Sequence, residues 1–206
     1  MRLLKEGGCA VITAERFIAN KHYFPQGWLL ARRGGVTATQ VAKAATPAGF
    51  KQAVAEYVDD TQIPDNPYMA FGRDYEPVIA RTVHTKFGIL PNEWLIRNDK
   101  FPYHLATPDG LSPDHTMIAE IKTTGKDWAD GVIPIQYRRQ VQWQLHVTGA
   151  ERCLFAWMMR IDVGGVFAPA WFEPQTLWME RDEDMIDVLQ GTAEQLWERV
   201  SDGHEG

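Results

Sequence analysis

Apolar residues recur at four-residue intervals in three stretches of the chain, the spacing that lines one face of an α-helix. Tyr75, Ile79, Val83 and Phe87 mark the first, between about residues 67 and 87. Pro77 falls within that stretch and must sit in a first turn or make a kink, because proline has no N–H to donate. Tyr137, Val141 and Leu145 mark the second, which spans residues 136–148 and stops at Gly149. Met185, Leu189, Leu196 and Val200 mark an acidic closing helix over about residues 175–201. A shorter helix opens after the Gly34-Gly35 break, where Thr37 followed three residues later by Gln40 has the form of a capping box.

Between these helices the pattern turns to strands. PNEWLIRND (91–99), PYHLATPDGLS (102–112) and TMIAEIKTT (116–124) predict a meander, with Ser112-Pro113-Asp114-His115 as the turn before the last strand. ERCLFAWMMR (151–160) and VFAPAWFE (166–173) add two more strands. The order α, βββ, α, β, β, α predicts an α/β (α+β) fold, a central mixed sheet flanked by helices.

The 206 residues, 45% hydrophobic, suffice for one sizeable core. The expectation is a single domain over 1–206, with a core at about 28–173 and the acidic helix appended. No run approaches the roughly 18 to 20 apolar residues of a membrane span, and the first residues lack the apolar region of a signal peptide. A soluble, cytoplasmic protein with no membrane partner is expected, located in the host cytoplasm if phage-encoded. Cys9 and Cys153 form neither a CxxC pair nor a disulfide ladder and read as plain thiols.

A net charge of −6 argues at first against a nucleic-acid partner, since phosphate neutralisation supplies most non-specific affinity. The total hides an asymmetry. Residues 1–52 hold eight Lys/Arg against two Asp/Glu, whereas residues 170–206 hold two against ten. Metal-binding carboxylates also subtract charge that a bound cation restores.

Candidate chemistry lies in TMIAEIKTT. Side chains alternate along a strand, so Ile118, Glu120 and Lys122 share one face. Pro108-Asp109-Gly110 precedes that strand by a hairpin length, and pairing brings Asp109 beside Glu120 as a second carboxylate. Two acidic groups, a backbone carbonyl such as that of Ile121, and water form the hard-oxygen environment that Mg2+ prefers, with Mn2+ as a substitute. Such a cation polarises a phosphodiester and acidifies a water, which Lys122 can orient or deprotonate, or whose developing charge it can neutralise. Each piece alone also describes a solvated strand face and an ordinary turn. The combination of PDG, a hairpin-length gap and an ExK flanked by apolar residues favours the metal site.

Four blocks in order, WLLARRGGVTATQVAKA, FGRDYEPVIA, LATPDG with AEIKTT, and YRRQVQWQLHVTGAERCLFAWM, resemble the lambda-exonuclease-like (YqaJ-type) viral recombinases, within the PD…(D/E)xK nucleases with their restriction-endonuclease-like core. The resemblance runs from about Trp28 to Arg160. It implies that Asp109 and Glu120 are metal ligands and Lys122 the catalytic lysine. It adds Glu76 as a further acidic residue near the metals and Gln142 as an active-site glutamine. Arg32, Thr39 and Thr107 correspond to positions that grip a terminal 5′-phosphate. Arg32 brings a guanidinium fork and Thr39 sits in the first turn of a helix, where free N–H groups attract anions. Arg33 and Gly35 depart from the apolar residues expected there, which leaves open whether Arg32 or Arg33 faces the phosphate.

By this resemblance the chain is expected to be a Mg2+-dependent deoxyribonuclease that removes 5′-terminated nucleotides from linear double-stranded DNA and leaves 3′ single strands for phage-type recombination. A homo-oligomer, a trimer by analogy, and a single-strand annealing protein are the partners it implies. Two rivals stay open: an endonuclease or repair nuclease of the same superfamily, and a non-catalytic DNA-end-binding module. The iron–sulfur branch is removed by the lack of a cysteine set. Trp143, Trp157 and Trp178 read as packing residues, and His84, His104, His115 and His146 show no metal-ligand spacing.

Overall fold

Two sheets with helices on their faces organise the chain, as seen in a computed structural model that describes residues 11–58, 64–128 and 130–201. Cys9 lies outside the described residues. In chain order the elements are β1 (Phe17–Asn20), α1 (Pro25–Arg32), β2 (Val36–Thr37), α2 (Ala38–Ala44), α3 (Pro47–Val58), α4 (Pro67–Phe87), β3 (Leu90–Pro91) and β4 (Trp94–Arg97). There follow β5 (His104–Ala106), β6 (Gly110–Leu111), β7 (Met117–Thr124), α5 (Ile135–Thr148), β8 (Arg152–Val163), β9 (Val166–Pro169), β10 (Gln175–Glu180) and α6 (Glu183–Ser201).

The larger sheet runs β10-β8-β7-β6-β3, and the smaller β1-β4-β5-β2. β7 and β8 pair in parallel from Met117–Arg152 to Thr124–Met159, so the link between them must cross a sheet face, and α5 makes that crossing. Alternation along β7 then sorts its side chains between two cores. Ile118 packs with Val141, Leu145, Phe155, Leu189 and Leu196 beneath α2, α5 and α6. Ala119 and Ile121 pack with Phe71, Ile79 and Val83 of α4 and with Leu154, Ala156 and Met158. The expected mixed sheet between helices is therefore present, and Glu120 and Lys122 lie on its α5 side.

Two expectations need correction. The meander does not form, because residues 102–112 are not one strand. The segment breaks between Ala106 and Gly110, where Pro108 has no N–H for a ladder, and the chain passes from the small sheet (β5) to the large one (β6). The closing helix starts at Glu183, not near residue 175. Gln175–Glu180 is β10, antiparallel to β8, with Leu177 and Met179 turned to one core and Trp178 to the other. Of the two alternatives open to Pro77 the first turn is not the one taken, since it lies inside the 21-residue α4. Helix α3 has a legible pattern that the reading above omitted, with Phe50, Ala53, Val54 and Tyr57 on its inner face. The strand expected over residues 166–173 ends at Pro169, and other signals hold. Gln40 Oε1 accepts from the Thr37 N–H at 2.9 Å, and Gly149 ends α5 in the left-handed conformation (φ 83°).

Candidate active site

The β6–β7 hairpin builds the centre of the site. Asp114 closes its turn, its Oδ1 accepting from Ser112 Oγ at 2.6 Å and Thr116 Oγ1 at 2.9 Å. The register then sets Gly110 against Ala119. A Cβ on Gly110 would stand 2.9 Å from Ile89 Cγ2 and 3.0 Å from the Ala119 Cβ, so only glycine permits this approach. Asp109 is thereby laid along β7, where its Oδ2 accepts the Ile121 N–H at 2.7 Å. Asn92 braces the same segment, its N–H donating to Asp109 O at 2.9 Å and its amide to Pro108 O at 2.8 Å.

Glu120, 1% exposed, is the hub. Its Oε1 accepts from Lys122 Nζ and, at 2.5 Å, from Gln140 Nε2, and its Oε2 accepts from Gln144 Nε2 at 2.7 Å. Buried carboxylates require such partners. Burial and the neighbouring Glu120 push the Asp109 carboxyl up to about 7, with Glu76 adding to the rise while Lys122 and the Ile121 N–H oppose it. Burial pulls the Lys122 amine down, but Glu120 and Asp109 outweigh it and hold the ammonium above its ordinary range.

Gln142 takes no part in these contacts. Its amide donates to Glu180 O at 2.8 Å and its Oε1 accepts the Asp182 N–H at 2.9 Å, so it ties α5 to the β10–α6 joint. The reason is helical periodicity. Gln140 and Gln144, four residues apart, share the face that meets Glu120, whereas Gln142 is turned about 200° away from Gln140.

A cavity of about 730 Å³ gathers most of the remaining candidates. Arg32, Thr39, Thr107, Glu76, Asp109, Ile121, Gln140 and Gln144 all line it. The three proposed anion-binding side chains thus come from α1, α2 and the β5–β6 link into the space that Asp109 and Glu76 face. Of the adjacent arginines, Arg32 lines the cavity, whereas Arg33 is exposed and does not. The Arg32 guanidinium stacks on Trp28, 4.6 Å from the ring centroid, and burial lowers its pKa. Thr107 Oγ1 is buried without a hydrogen-bond partner, which leaves a polar group in want of a ligand. Trp28 and Asn92 are cavity residues that the sequence reading missed; no short motif marks either.

A divalent cation fits this donor set. Asp109, Glu120, Glu76 and the Ile121 carbonyl are hard oxygen donors, and Mg2+ is commonly bound through one or two carboxylates with water and substrate completing its shell. Among the described residues no group of three or more His, Cys, Asp or Glu side chains is placed to hold a metal ion. Burial, Glu120 and Glu76 push the Asp109 carboxyl toward neutrality, and a cation would relieve that.

Residues 27–151 match the profile of the YqaJ-like viral recombinase domain. No curated protein matches the chain. Among solved structures, LHK-Exo, an alkaline exonuclease from Laribacter hongkongensis that has also been solved in complex with dAMP, is 24% identical. The match covers 87% of this chain and 94% of that one, with a TM-score of 0.69. A phage-related exonuclease from Haemophilus somnus 129PT is 12% identical, with 83% and 95% covered and a TM-score of 0.60. Both share the fold.

Proposed function

Since the chain belongs to the YqaJ-like viral recombinase domain family, we propose that it is a divalent-cation-dependent exonuclease that degrades linear double-stranded DNA from its 5′ ends. The observation that carries this reading is the single cavity shared by Arg32, Thr39 and Thr107 with Asp109, Glu76 and Ile121. A pocket for a terminal phosphate beside a hydrolytic centre is the arrangement that an end-processing enzyme needs and an internal cutter does not. That the structural neighbours are exonucleases agrees with it.

In this reading Asp109, Glu120, Glu76 and the Ile121 carbonyl would hold Mg2+, for which Mn2+ could substitute. The bound cation supplies charge neutralisation at the phosphodiester and makes nearby water more acidic. Lys122 enters protonated and neutralises the charge that develops on the phosphoryl oxygens. Gln140 and Gln144 fix the Glu120 carboxylate so that its oxygens do not rotate between turnovers. Arg32, Thr39 and Thr107 hold the terminal 5′-phosphate and so set which bond reaches the centre. Water oxygen bonds to phosphorus, the P–O3′ bond breaks, and the next nucleotide inherits the 5′-phosphate for the following cycle. A nucleoside 5′-monophosphate is then the product, the class of compound found with LHK-Exo. The 3′ strand left behind suits a recombination partner that anneals single strands, and a closed homo-oligomer is the assembly that the resemblance implies.

The test is digestion of matched linear and circular duplexes with Mg2+ by the parent and Lys122→Ala. Loss of linear DNA alone, abolished in Lys122→Ala while DNA binding persists, is expected. Nicking of circles makes the protein an endonuclease, binding without loss makes it an end-binding module, and parental activity in Lys122→Ala removes the lysine from the reaction.

A further inference from the structure

A second cavity, of about 540 Å³, opens where β7 runs on beyond Lys122, and it shares no lining residue with the first. Thr123, Thr124, Gly125, Lys126, Tyr137 and Arg160 contribute to its wall. Arg160 is the unusual member. Its guanidinium lies 4.5 Å from the Tyr68 ring centroid and 5.6 Å from that of Phe167. No described carboxylate pairs with it. Its Nη2 would stand 3.3 Å from a Cβ on Gly125, so the glycine keeps the space that the guanidinium fills. An arginine held against aromatic rings, with its charge unpaired and facing a cavity, is organised to receive an anion. Lys126 follows one residue after Gly125, its N–H fixed by Thr124 Oγ1 at 3.0 Å.

Ile121 lines the first cavity and Thr123 the second, one residue to either side of Lys122 in β7. Tyr137 of the second cavity lies under Lys122, 5.5 Å from Nζ to the ring centroid, and one face of α5 continues from Tyr137 to Gln140 and Gln144 in the first. Lys122 and Thr124 are about 7 Å apart along the strand, at roughly 3.3 Å per residue. We propose that the second cavity binds the phosphodiester on the 3′ side of the scissile bond, with Arg160 as its principal contact and Lys126 beside it. This rests on the exonuclease reading, and polarity makes the assignment. With the terminal 5′-phosphate against Arg32 and the scissile phosphate at Lys122, the strand must leave on the side away from Arg32, where β7 leads into Thr123–Lys126. Two phosphates gripped on either side of the reacting one would hold the bond in line.

The probe is a 5′-phosphorylated duplex carrying one neutral methylphosphonate linkage immediately 3′ of the first bond to be cut, compared with the all-phosphate duplex. First-bond cleavage by the parent is expected to slow roughly ten- to thirtyfold on the modified duplex. Arg160→Gln should be slowed by a similar factor on the all-phosphate duplex and be indifferent to the modification. Gly125→Val, which keeps the charge but displaces the guanidinium, should show the same indifference and guards against a folding defect in the first variant. Equal slowing of parent and both variants by the modification, or a parent that does not respond to it, overturns the subsite while leaving the nuclease intact. Failure of the parent to cut either duplex overturns the exonuclease reading, and the subsite falls with it.

Discussion

Replacing Gln144 by leucine separates catalysis from stability, because two effects of the change oppose each other in the fold but not in the reaction. Gln144 is 1% exposed; its Nε2 donates to Glu120 Oε2 at 2.7 Å while its Oε1 has no partner. Losing a hydrogen bond to a buried charge costs about 1.5–3 kcal/mol, but removing an unsatisfied buried acceptor returns about 1–3 kcal/mol. The net effect on stability is near zero, so the melting temperature of Gln144→Leu should stay within roughly 4 °C of the parent. Nothing offsets the loss at Glu120, which keeps Lys122 and Gln140 on Oε1 but has nothing left to fix Oε2. A loss of about 1.5–2 kcal/mol in holding that carboxylate corresponds to roughly ten- to thirtyfold in the Mg2+ concentration needed for half-maximal digestion. The assay is the rate on a linear 5′-phosphorylated duplex across a Mg2+ titration, with thermal unfolding of each variant alongside. Gln142→Leu is the contrasting variant. It removes two neutral hydrogen bonds that join α5 to the start of α6 and strands Glu180 O and Asp182 N. It should lower the melting temperature by roughly 4–8 °C and leave the Mg2+ curve alone. A parental Mg2+ curve for Gln144→Leu, with a displaced one for Gln142→Leu, would refute the reasoning and restore the residue chosen from sequence.

Two further outcomes are expected. Arg32→Ala should slow digestion of 5′-phosphorylated ends by roughly ten- to a hundredfold while 5′-hydroxyl ends, poor substrates already, lose little more; a parent that digests both ends equally fast removes the phosphate pocket. His104 Nδ1 and His146 Nε2 meet at 2.9 Å, and burial lowers their pKa values from the ordinary 6.5 to about 3 and about 4. Stability from this pair is therefore fully present above pH 6.5, where unfolded histidine is neutral too. It is lost at up to about 1.4 kcal/mol per pH unit per histidine as the pH falls toward 4, because only the unfolded chain takes up the protons. The melting temperature should drop over that window less steeply in His146→Gln than in the parent, and equal slopes would dismiss the pair.

The site was legible in sequence where chemistry and short-range geometry coincide. Asp109, Glu120 and Lys122 lie on one hairpin, so strand alternation and a four-residue turn suffice to bring them together. The glutamines show where that kind of reading stops. Tyr137, Val141 and Leu145 reveal which stripe of α5 is apolar, with polar positions on either flank. Which flank meets β7 depends on how the crossover seats α5 on the sheet, and that is a tertiary fact. β10 was hidden for a related reason. QTLWME shows no polar–apolar alternation, since Leu177, Trp178 and Met179 are all apolar, and just Arg181 and Asp182 separate it from α6, so the helical signal downstream absorbed it. Its pairing with β8 decides its state, and no local residue announces that partner. The break at Pro108 was more accessible, since proline inside a supposed central strand argues against the strand.

The charge of the chain illustrates the difference between a total and a field. The two cavities are lined by Lys21, Arg32, Arg73, Arg81, Lys126 and Arg160 against the acids Glu76, Glu93 and Asp109. Arg73 is paired with Asp65, and Glu76 and Asp109 are two of the proposed cation ligands, so with the cation bound the rest of the lining is net positive. The acidic residues of α6 contribute to neither cavity, and its inner face is committed to the core through Ile186, Leu189, Ala193, Leu196 and Val200. Charges farther off than a Debye length, about 8 Å at physiological ionic strength, are largely screened. A phosphate approaching Arg32 or Arg160 therefore meets a local field of the opposite sign to the net charge of −6, and a protein that is acidic as a whole can still hold a polyanion at its working face.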